Sequence, residues 1–146
     1  LNQIASVNPN VNDFVESVNW SPNGKYLAVS GKLNADNIRV YSFDPAASPI
    51  LNQIAFVSLD FGLGIIFSVN WSPDGKYLAV GGSLVGDSVR VYAFDPAASP
   101  ILNQIASAST GGTTTTFSVN WSPDGKYLAV GSQLTGNNVQ VYAFDP

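Results

Sequence analysis

The sequence predicts an all-β protein, a β-propeller with three four-stranded blades in the chain. Three observations lead to this prediction. WSPNGKYLAV at residues 20–29 returns as WSPDGKYLAV at 71–80 and 121–130, and LNQIA begins at residues 1, 51 and 102. Each unit contains four short segments in which β-branched and aromatic residues alternate with polar ones, and no segment has a helical period. Units of about 40 to 50 residues with four strands and no helix are typical of propeller blades.

The second copy justifies each strand in turn. Residues 67–71 (FSVNW) alternate large apolar with small polar side chains, as in a half-buried strand. Residues 72–76 (SPDGK) then predict a hairpin turn, because Pro sets one backbone angle and Gly accepts a positive φ. Residues 77–81, 89–94 and 101–106 predict the second, third and fourth strands, with the linker DPAASP before the last one.

The repeat spacing defines the organisation of the chain. The three tryptophans, Trp20, Trp71 and Trp121, follow one another at steps of 51 and 50 residues. All variation in length falls between LNQIA and the tryptophan, which identifies that segment as a loop. We therefore assign a single domain of three repeat units, covering residues 1–50, 51–101 and 102–146.

The combination of SPDGK, YLAVGG and, after six residues, VRVY resembles the WD-repeat β-propellers over the whole chain. The resemblance implies a propeller fold and says little about function. The Trp-Asp pair of that family is replaced by Tyr41-Ser42, Tyr92-Ala93 and Tyr142-Ala143, and its Gly-His pair is missing from every copy. The family's network of His, Asp and Trp hydrogen bonds cannot form, so we expect aromatic packing to hold the blades.

Composition excludes several classes of function. The 146 residues contain neither Cys nor His, which excludes disulfides, zinc sites and Ser-His-Asp or Cys-His catalysis. Six Lys and Arg against ten Asp and Glu give a net charge of −4, so we expect no nucleic-acid partner. The repeated acids lie in predicted turns, and we expect no enzyme activity, no cofactor and no metal. Asn10, Asn12 and Asp13 offer oxygen ligands but lack the spacing of a calcium loop.

No apolar stretch is long enough to span a membrane, and no signal peptide is recognisable. We therefore expect a soluble domain that does not bind membranes, in a compartment that the sequence does not define. The sequence begins at Leu1 and contains no Met, which indicates a processed, excised or engineered piece.

Three blades are too few for a closed ring, because propellers typically have about 4 to 8 blades. The last unit stops after its third strand, VQVYA, and the first residues are a spare outer strand. We predict that copies of the chain associate head to tail, with a homotrimer of nine blades favoured over a homodimer of six. The alternative is a fragment of a longer array that closes only with its missing neighbours. The predicted ring-closure strand consists of Leu1, Asn2, Gln3, Ile4 and Ala5.

The three copies differ mainly on one rim, in the loops between blades and between second and third strands. A variable surface on a constant frame is typical of binding sites, and we predict that it binds a protein, a peptide or a glycan. The alternative is unconstrained drift of loops, or packing of the apolar 60–66 loop over the end of the ring. The candidate residues are Asn10, Asn12, Asp13, Lys32, Asn34, Asp60, Phe61, Leu63, Ile65, Ser83, Val85, Thr113, Thr114, Gln133 and Thr135.

Other repeated positions have structural interpretations. Glu16 replaces the Phe of the other copies, and we expect it at the solvent-exposed end of its strand. The Asn-Trp-Ser triplets match a glycosylation acceptor but recur within predicted strands, which favours a structural role. Leu33, Leu84 and Leu134 are expected to tuck inward. The sequence thus predicts a non-enzymatic binding or scaffold module that assembles into a closed propeller. The alternative is an engineered or excised propeller fragment whose only activity is self-assembly.

Overall fold

A computed structural model describes residues 1–8, 13–33, 36–59, 64–84, 86–110, 115–133 and 138–146. Eleven strands and no helix occur in these ranges, which confirms the all-β prediction. The strands are β1 (Phe14–Trp20), β2 (Tyr26–Leu33), β3 (Asp36–Phe43), β4 (Leu51–Val57), β5 (Ile65–Trp71), β6 (Tyr77–Ser83), β7 (Val89–Phe94), β8 (Leu102–Ala108), β9 (Thr115–Trp121), β10 (Tyr127–Gln133) and β11 (Val139–Ala143).

The strands form three antiparallel sheets that follow the sequence order. The first sheet contains β1 to β4, the second contains β5 to β8, and the third contains β9 to β11. The strands predicted at 77–81 and 101–106 form with ends shifted by up to two residues, and the one at 89–94 forms as predicted. The strand predicted at 67–71 begins earlier, because Ile65 and Ile66 still pair with Ser83 and Gly82.

The SPNGK segment and the two SPDGK segments form the tight turns predicted between the first two strands of each sheet. In the second sheet the amide of Gly75 donates to the carbonyl of Ser72, and the amide of Ser72 donates to the carbonyl of Tyr77. Gly75 has a φ of 73°, in the left-handed region that glycine adopts without strain. These turns lie on the constant rim, which is the edge of the sheets opposite the variable loops.

The core lies between the sheets. Side chains of the first sheet, such as Ile38 and Val40, pack with Trp71 and Leu78 of the second. Val89 and Val91 of the second sheet pack in the same way with Val119, Trp121 and Leu128 of the third.

Aromatic rings also bridge neighbouring sheets, as the sequence predicts. Tyr26 of the first sheet meets Phe94 of the second at a centroid distance of 4.9 Å, and Tyr77 meets Phe144 of the third at 5.0 Å. Phe94 also packs edge-on against Trp71. Sheet-to-sheet packing therefore repeats along the chain with the same residue types.

The innermost strand of each sheet carries an irregularity at the same place. The register shifts at Glu16 in β1, at Phe67 in β5 and at Phe117 in β9. The rings of Phe67 and Phe117 lie 5.3 Å apart, whereas Glu16 is exposed. This placement agrees with the expectation of a solvated Glu16.

Among the described residues, the third sheet has three strands and ends at β11. Residues 1–8, the predicted ring-closure strand included, belong to none of the described strands and are mostly exposed. No helix in the described parts of the chain is long and apolar enough to cross a membrane.

Candidate functional site

The variable rim presents three equivalent and chemically different side chains. Ser83 and Gln133 end the second strand of their sheets, Lys32 is the last residue but one of β2, and all three are exposed. Each is paired with a residue near the start of the first strand: Lys32 with Phe14, Ser83 with Ile65 and Gln133 with Thr115. The frame therefore holds a basic, a hydroxyl and an amide side chain at one repeated rim position.

Two predicted rim residues are less accessible than the sequence indicates. Ile65 is half-buried within β5, because strand pairing extends two residues further than the alternation pattern shows. The prediction that Asp13 faces a ligand is also corrected. Its Oδ2 lies 3.1 Å from Nη1 of Arg39, and the two side chains are only 2% and 5% exposed.

Arg39 connects three segments next to the variable rim of the first sheet. Its Nε contacts Oδ2 of Asp36 at 3.3 Å, and its Nη2 donates to the carbonyl of Leu33 at 3.4 Å. Burial alone lowers the pKa of Arg39, but its interactions with Tyr41, Asp13 and Asp36 outweigh burial and raise it. The guanidinium is therefore a fixed charge that neutralises Asp13 and Asp36 inside the protein. These carboxylates are positioned for structure rather than for a rim ligand.

The remaining predicted rim residues lie outside the described parts of the chain. They are Asn10, Asn12, Asn34, Asp60, Phe61, Leu63, Val85, Thr113, Thr114 and Thr135. Leu134, one of the three leucines expected to tuck inward, is also outside them, whereas Leu33 is buried and Leu84 is half-buried. Within the described residues, no group of three or more carboxylates is arranged to hold a metal ion.

Asn37 organises the connection between the first and second sheets. Its Nδ2 donates to the carbonyl of Gly64 at 2.6 Å, and its Oδ1 accepts from the amide of Leu59 at 2.7 Å. Ser88 takes the same place in the second sheet, where its hydroxyl bonds with those of Thr110 and Thr116. Sequence reasoning missed both residues. The available signal was a small polar residue directly before the IRVY and VRVY segments.

Both ends of the array expose surface that is buried inside it. Trp20 of β1 is 49% exposed, whereas its equivalents Trp71 and Trp121 are 4% and 7% exposed. At the other end, Val139 and Val141 of β11 are 74% and 64% exposed, and their equivalents in β7 are 2% and 4%. Each end therefore keeps the residues of a sheet-to-sheet contact without the sheet that would cover them.

Side chains also join the innermost strands across each sheet-to-sheet junction. Between the first two sheets, the amide of Trp71 donates to Oδ1 of Asn19 at 3.0 Å, and its indole Nε1 donates to the carbonyl of Asn19 at 3.2 Å. The amide of Val69 donates to Oγ of Ser17 at 3.3 Å. Because an unpaired strand edge leaves backbone groups without partners, these side chains close each edge.

The second junction repeats these contacts. Trp121 donates from its amide to Oδ1 of Asn70 at 3.4 Å and from Nε1 to the carbonyl of Asn70 at 3.1 Å. The amide of Val119 donates to Oγ of Ser68 at 3.1 Å. We call this set the Ser/Asn clamp: Ser17 and Asn19 in β1, Ser68 and Asn70 in β5, Ser118 and Asn120 in β9. The clamp gives Asn19 and Asn70, in the first two Asn-Trp-Ser triplets, the structural role expected for them.

This repeated sheet geometry agrees with a family match over nearly the whole chain. Residues 2–145 match the family described as eukaryotic translation initiation factor eIF2A. The chain belongs to the eIF2A family. No curated protein sequence matches it.

Solved structures place this eIF2A-family chain among the β-propellers. The periplasmic gluconolactonase PpgL of Pseudomonas aeruginosa matches 92% of the chain with a TM-score of 0.72 and 24% identity. The C-terminal WD40 domain of Sif2 matches 90% with a TM-score of 0.68 and 21% identity. The β-propeller domain of Myceliophteria thermophila Cps50 (Swd1) matches 90% with a TM-score of 0.67 and 16% identity.

The chain spans 38%, 34% and 38% of these three structures, in that order. At such identities the likeness shows the fold alone. The similar structures include a gluconolactonase as well as WD40 and other propeller domains, so the fold accommodates both an enzyme and WD40 domains.

Proposed function

We propose that the chain is a non-enzymatic binding scaffold that associates with copies of itself into a closed β-propeller. The assembled ring presents its variable rim to a protein, a peptide or a glycan. The observation that carries this proposal is the contrast between the open ends and the internal junctions. Trp20, Val139 and Val141 are largely exposed, although the same positions are buried wherever a second sheet is present.

The two open ends expose the two different faces that pack together at each internal sheet-to-sheet junction. One end offers the face of the first sheet that carries Trp20 and Val18, and the other offers the face of the third sheet that carries Val139 and Val141. Exposed apolar patches of this type mark association surfaces in globular proteins. Head-to-tail contacts between two different faces close into a ring when the rotation per subunit divides a full turn. We favour three copies and nine blades, with two copies and six blades as the alternative.

The edge of β11 is the second element of the closure. In the first two sheets the LNQIA segment forms the fourth strand, and Leu51 and Leu102 pair with Phe43 and Phe94. The same register would place Leu1 of one copy opposite Phe144 of another, and Ala5 opposite Val141. Pairing residues 1–5 with β11 removes an open strand edge, which otherwise promotes uncontrolled association.

Rim binding is supported by the exposure and the chemical variety of Lys32, Ser83 and Gln133. Its test is a screen of the assembled protein against peptide and glycan arrays, with quantitative binding for each hit. The test variant combines Lys32→Ala with Gln133→Ala. The matched control removes the same residue types elsewhere, with Lys25→Ala on the constant rim and Gln53→Ala on the exposed side of β4.

We expect a reproducible ligand whose binding weakens in the rim variant and stays unchanged in the control. A ligand that both variants bind equally well would contradict the rim assignment. The absence of any ligand would favour the alternative, a propeller fragment whose only activity is self-assembly.

A further inference from the structure

Two halves of the Ser/Asn clamp have no partner among the described residues: the acceptor side chains of β9 and the donor groups of β1. In β9, the side chains of Ser118 and Asn120 are exposed and make no hydrogen bond within the described residues. In β1, Val18 and Trp20 have the register that Val69 and Trp71 have in β5. Their amides therefore point away from β2, toward the side where a preceding sheet would stand.

We propose that Ser118 and Asn120 of one copy clamp Val18 and Trp20 of a second copy of this chain. Oδ1 of Asn120 accepts from the amide of Trp20, and the carbonyl of Asn120 accepts from its indole Nε1. Oγ of Ser118 accepts from the amide of Val18. The inference rests on the proposed self-association and defines which hydrogen bonds fix the two copies in register.

The residue types at the two ends favour a second copy over any other partner. Serine and asparagine occupy the acceptor positions in all three innermost strands, and valine and tryptophan occupy the donor positions in all three. The clamp itself contains no charged side chain, so two copies meet there without like-charge repulsion. Inside the chain, these identical residues already form the contact twice, with distances from 3.0 to 3.4 Å.

The apolar side chains around the clamp are also exposed at the open end and buried at the internal junctions. Val18 is 58% exposed, whereas Val69 and Val119 are each 2% exposed at the internal junctions. Burying Trp20 and Val18 against the third sheet supplies the main driving force, because association energy follows the apolar area removed from water. The directional hydrogen bonds of Asn120 then select one register among the ways in which two apolar faces can meet.

The decisive variants are Asn120→Ala and Trp20→Phe, each measured by sedimentation or light scattering over a wide dilution range. Asn120 is exposed in the chain, so Asn120→Ala leaves the folded chain intact. Trp20→Phe keeps an aromatic ring and removes the indole donor. We expect each variant to raise the concentration at which the assembly dissociates by about tenfold, the effect of one or two lost hydrogen bonds. The control Asn52→Ala, which changes an exposed residue of β4, should leave this concentration unchanged.

A second readout reports on the same contact. Assembly should shift the tryptophan emission of the wild type to shorter wavelength, because Trp20 passes from a half-exposed to a buried position. This shift should be absent in Trp20→Phe at any concentration. An assembled wild type whose dissociation and emission are unaffected by both substitutions would overturn the clamp and leave self-association standing. A wild type that stays monomeric at all concentrations would overturn both.

Discussion

Arg39 shows how ion pairing allows charged side chains to be buried in the protein. Its guanidinium reaches Asp13, which lies 26 residues earlier in the chain, and Asp36 on its own strand. The other sheets have Arg90 and Gln140 at this position. Gly64 stands before β5 where Asp13 stands before β1, so the Asp13–Arg39 pair is a property of the first sheet.

Arg39→Gln should destabilise the protein by about 3 to 5 kcal/mol, because it leaves the buried carboxylate of Asp13 without its partner. The matched variant Arg90→Gln removes the same charge from the equivalent, half-buried position and should cost less, because Gly64 takes the place of the buried carboxylate of Asp13 there. Urea unfolding at pH 7 measures both. Equal losses for the two variants would contradict the structural role assigned to the Asp13–Arg39 pair.

The turn acids provide a second prediction at this scale. Hydrogen bonds from Ser122 and from the amide of Lys126 lower the pKa of Asp124. Burial raises the pKa of Asp74, but hydrogen bonds from Ser72 and from the Lys76 amide outweigh it and the net pKa is lowered. A lowered pKa in the folded state stabilises the protein above about pH 4, the ordinary Asp value, and this stability is lost as the pH falls through the lowered pKa.

The first sheet has Asn23 at this position and forms the same bonds, from Ser21 Oγ at 2.8 Å and from the Lys25 amide at 3.0 Å. The double variant Asp74→Asn, Asp124→Asn should therefore keep its turns and lose less stability between pH 7 and about pH 3 than the wild type. Asn23→Asp should lose more. Unfolding free energies at the two pH values measure this, and three parallel pH profiles would refute it.

At the scale of elements, the connection between β4 and β5 depends on Asn37. Its two hydrogen bonds satisfy a buried amide, that of Leu59, and a buried carbonyl, that of Gly64. The connection is thereby fixed to β3, the third strand of the first sheet, rather than held only by its two ends.

Asn37→Ala should lower the free energy of unfolding by about 2 kcal/mol or more, because each group left unsatisfied costs about 1 to 3 kcal/mol. Asn52→Ala, which removes an exposed asparagine from β4, should stay within about 0.5 kcal/mol of the wild type. Hydrogen exchange would add a local readout, with faster exchange at the Leu59 amide. Unchanged exchange at Leu59 would show that the connection does not depend on Asn37.

Much of the strand and turn architecture could be predicted because the same sequence pattern occurs in three copies. The turns at SPDGK and the four-strand pattern follow from the turn residues and from local alternation. The extension of β5 to Ile65 could not be predicted, because it depends on pairing with Ser83 rather than on local residue preference. The pairing of Asp13 with Arg39 joins residues 26 positions apart and involves a residue that the other copies lack, so comparison of the repeats does not predict it.

The candidate site was predictable in part for the same reason. Comparison of the copies identifies Lys32, Ser83 and Gln133, because the position is repeated and the residue is not. The Ser/Asn clamp is invariant and so looks like scaffold in the sequence. Its role becomes visible only when a strand of one sheet is seen to lie beside the innermost strand of the next.

At the scale of the whole molecule, we propose that the two open ends of the array cover each other in separate copies. The face at Trp20 and the face at Val141 are the largest departures from an otherwise repeated pattern of burial. Their mutual burial would leave every sheet between two neighbours. The variable rim would then continue around a closed ring, and ligand binding would depend on assembly.

The absolute mass in solution, measured by light scattering on a sizing column over a hundredfold dilution, tests this claim most directly. We expect a closed assembly at three times 15.4 kDa, or 46.2 kDa, with 30.8 kDa for the two-copy alternative. A folded chain that stays at 15.4 kDa across the whole range would contradict it.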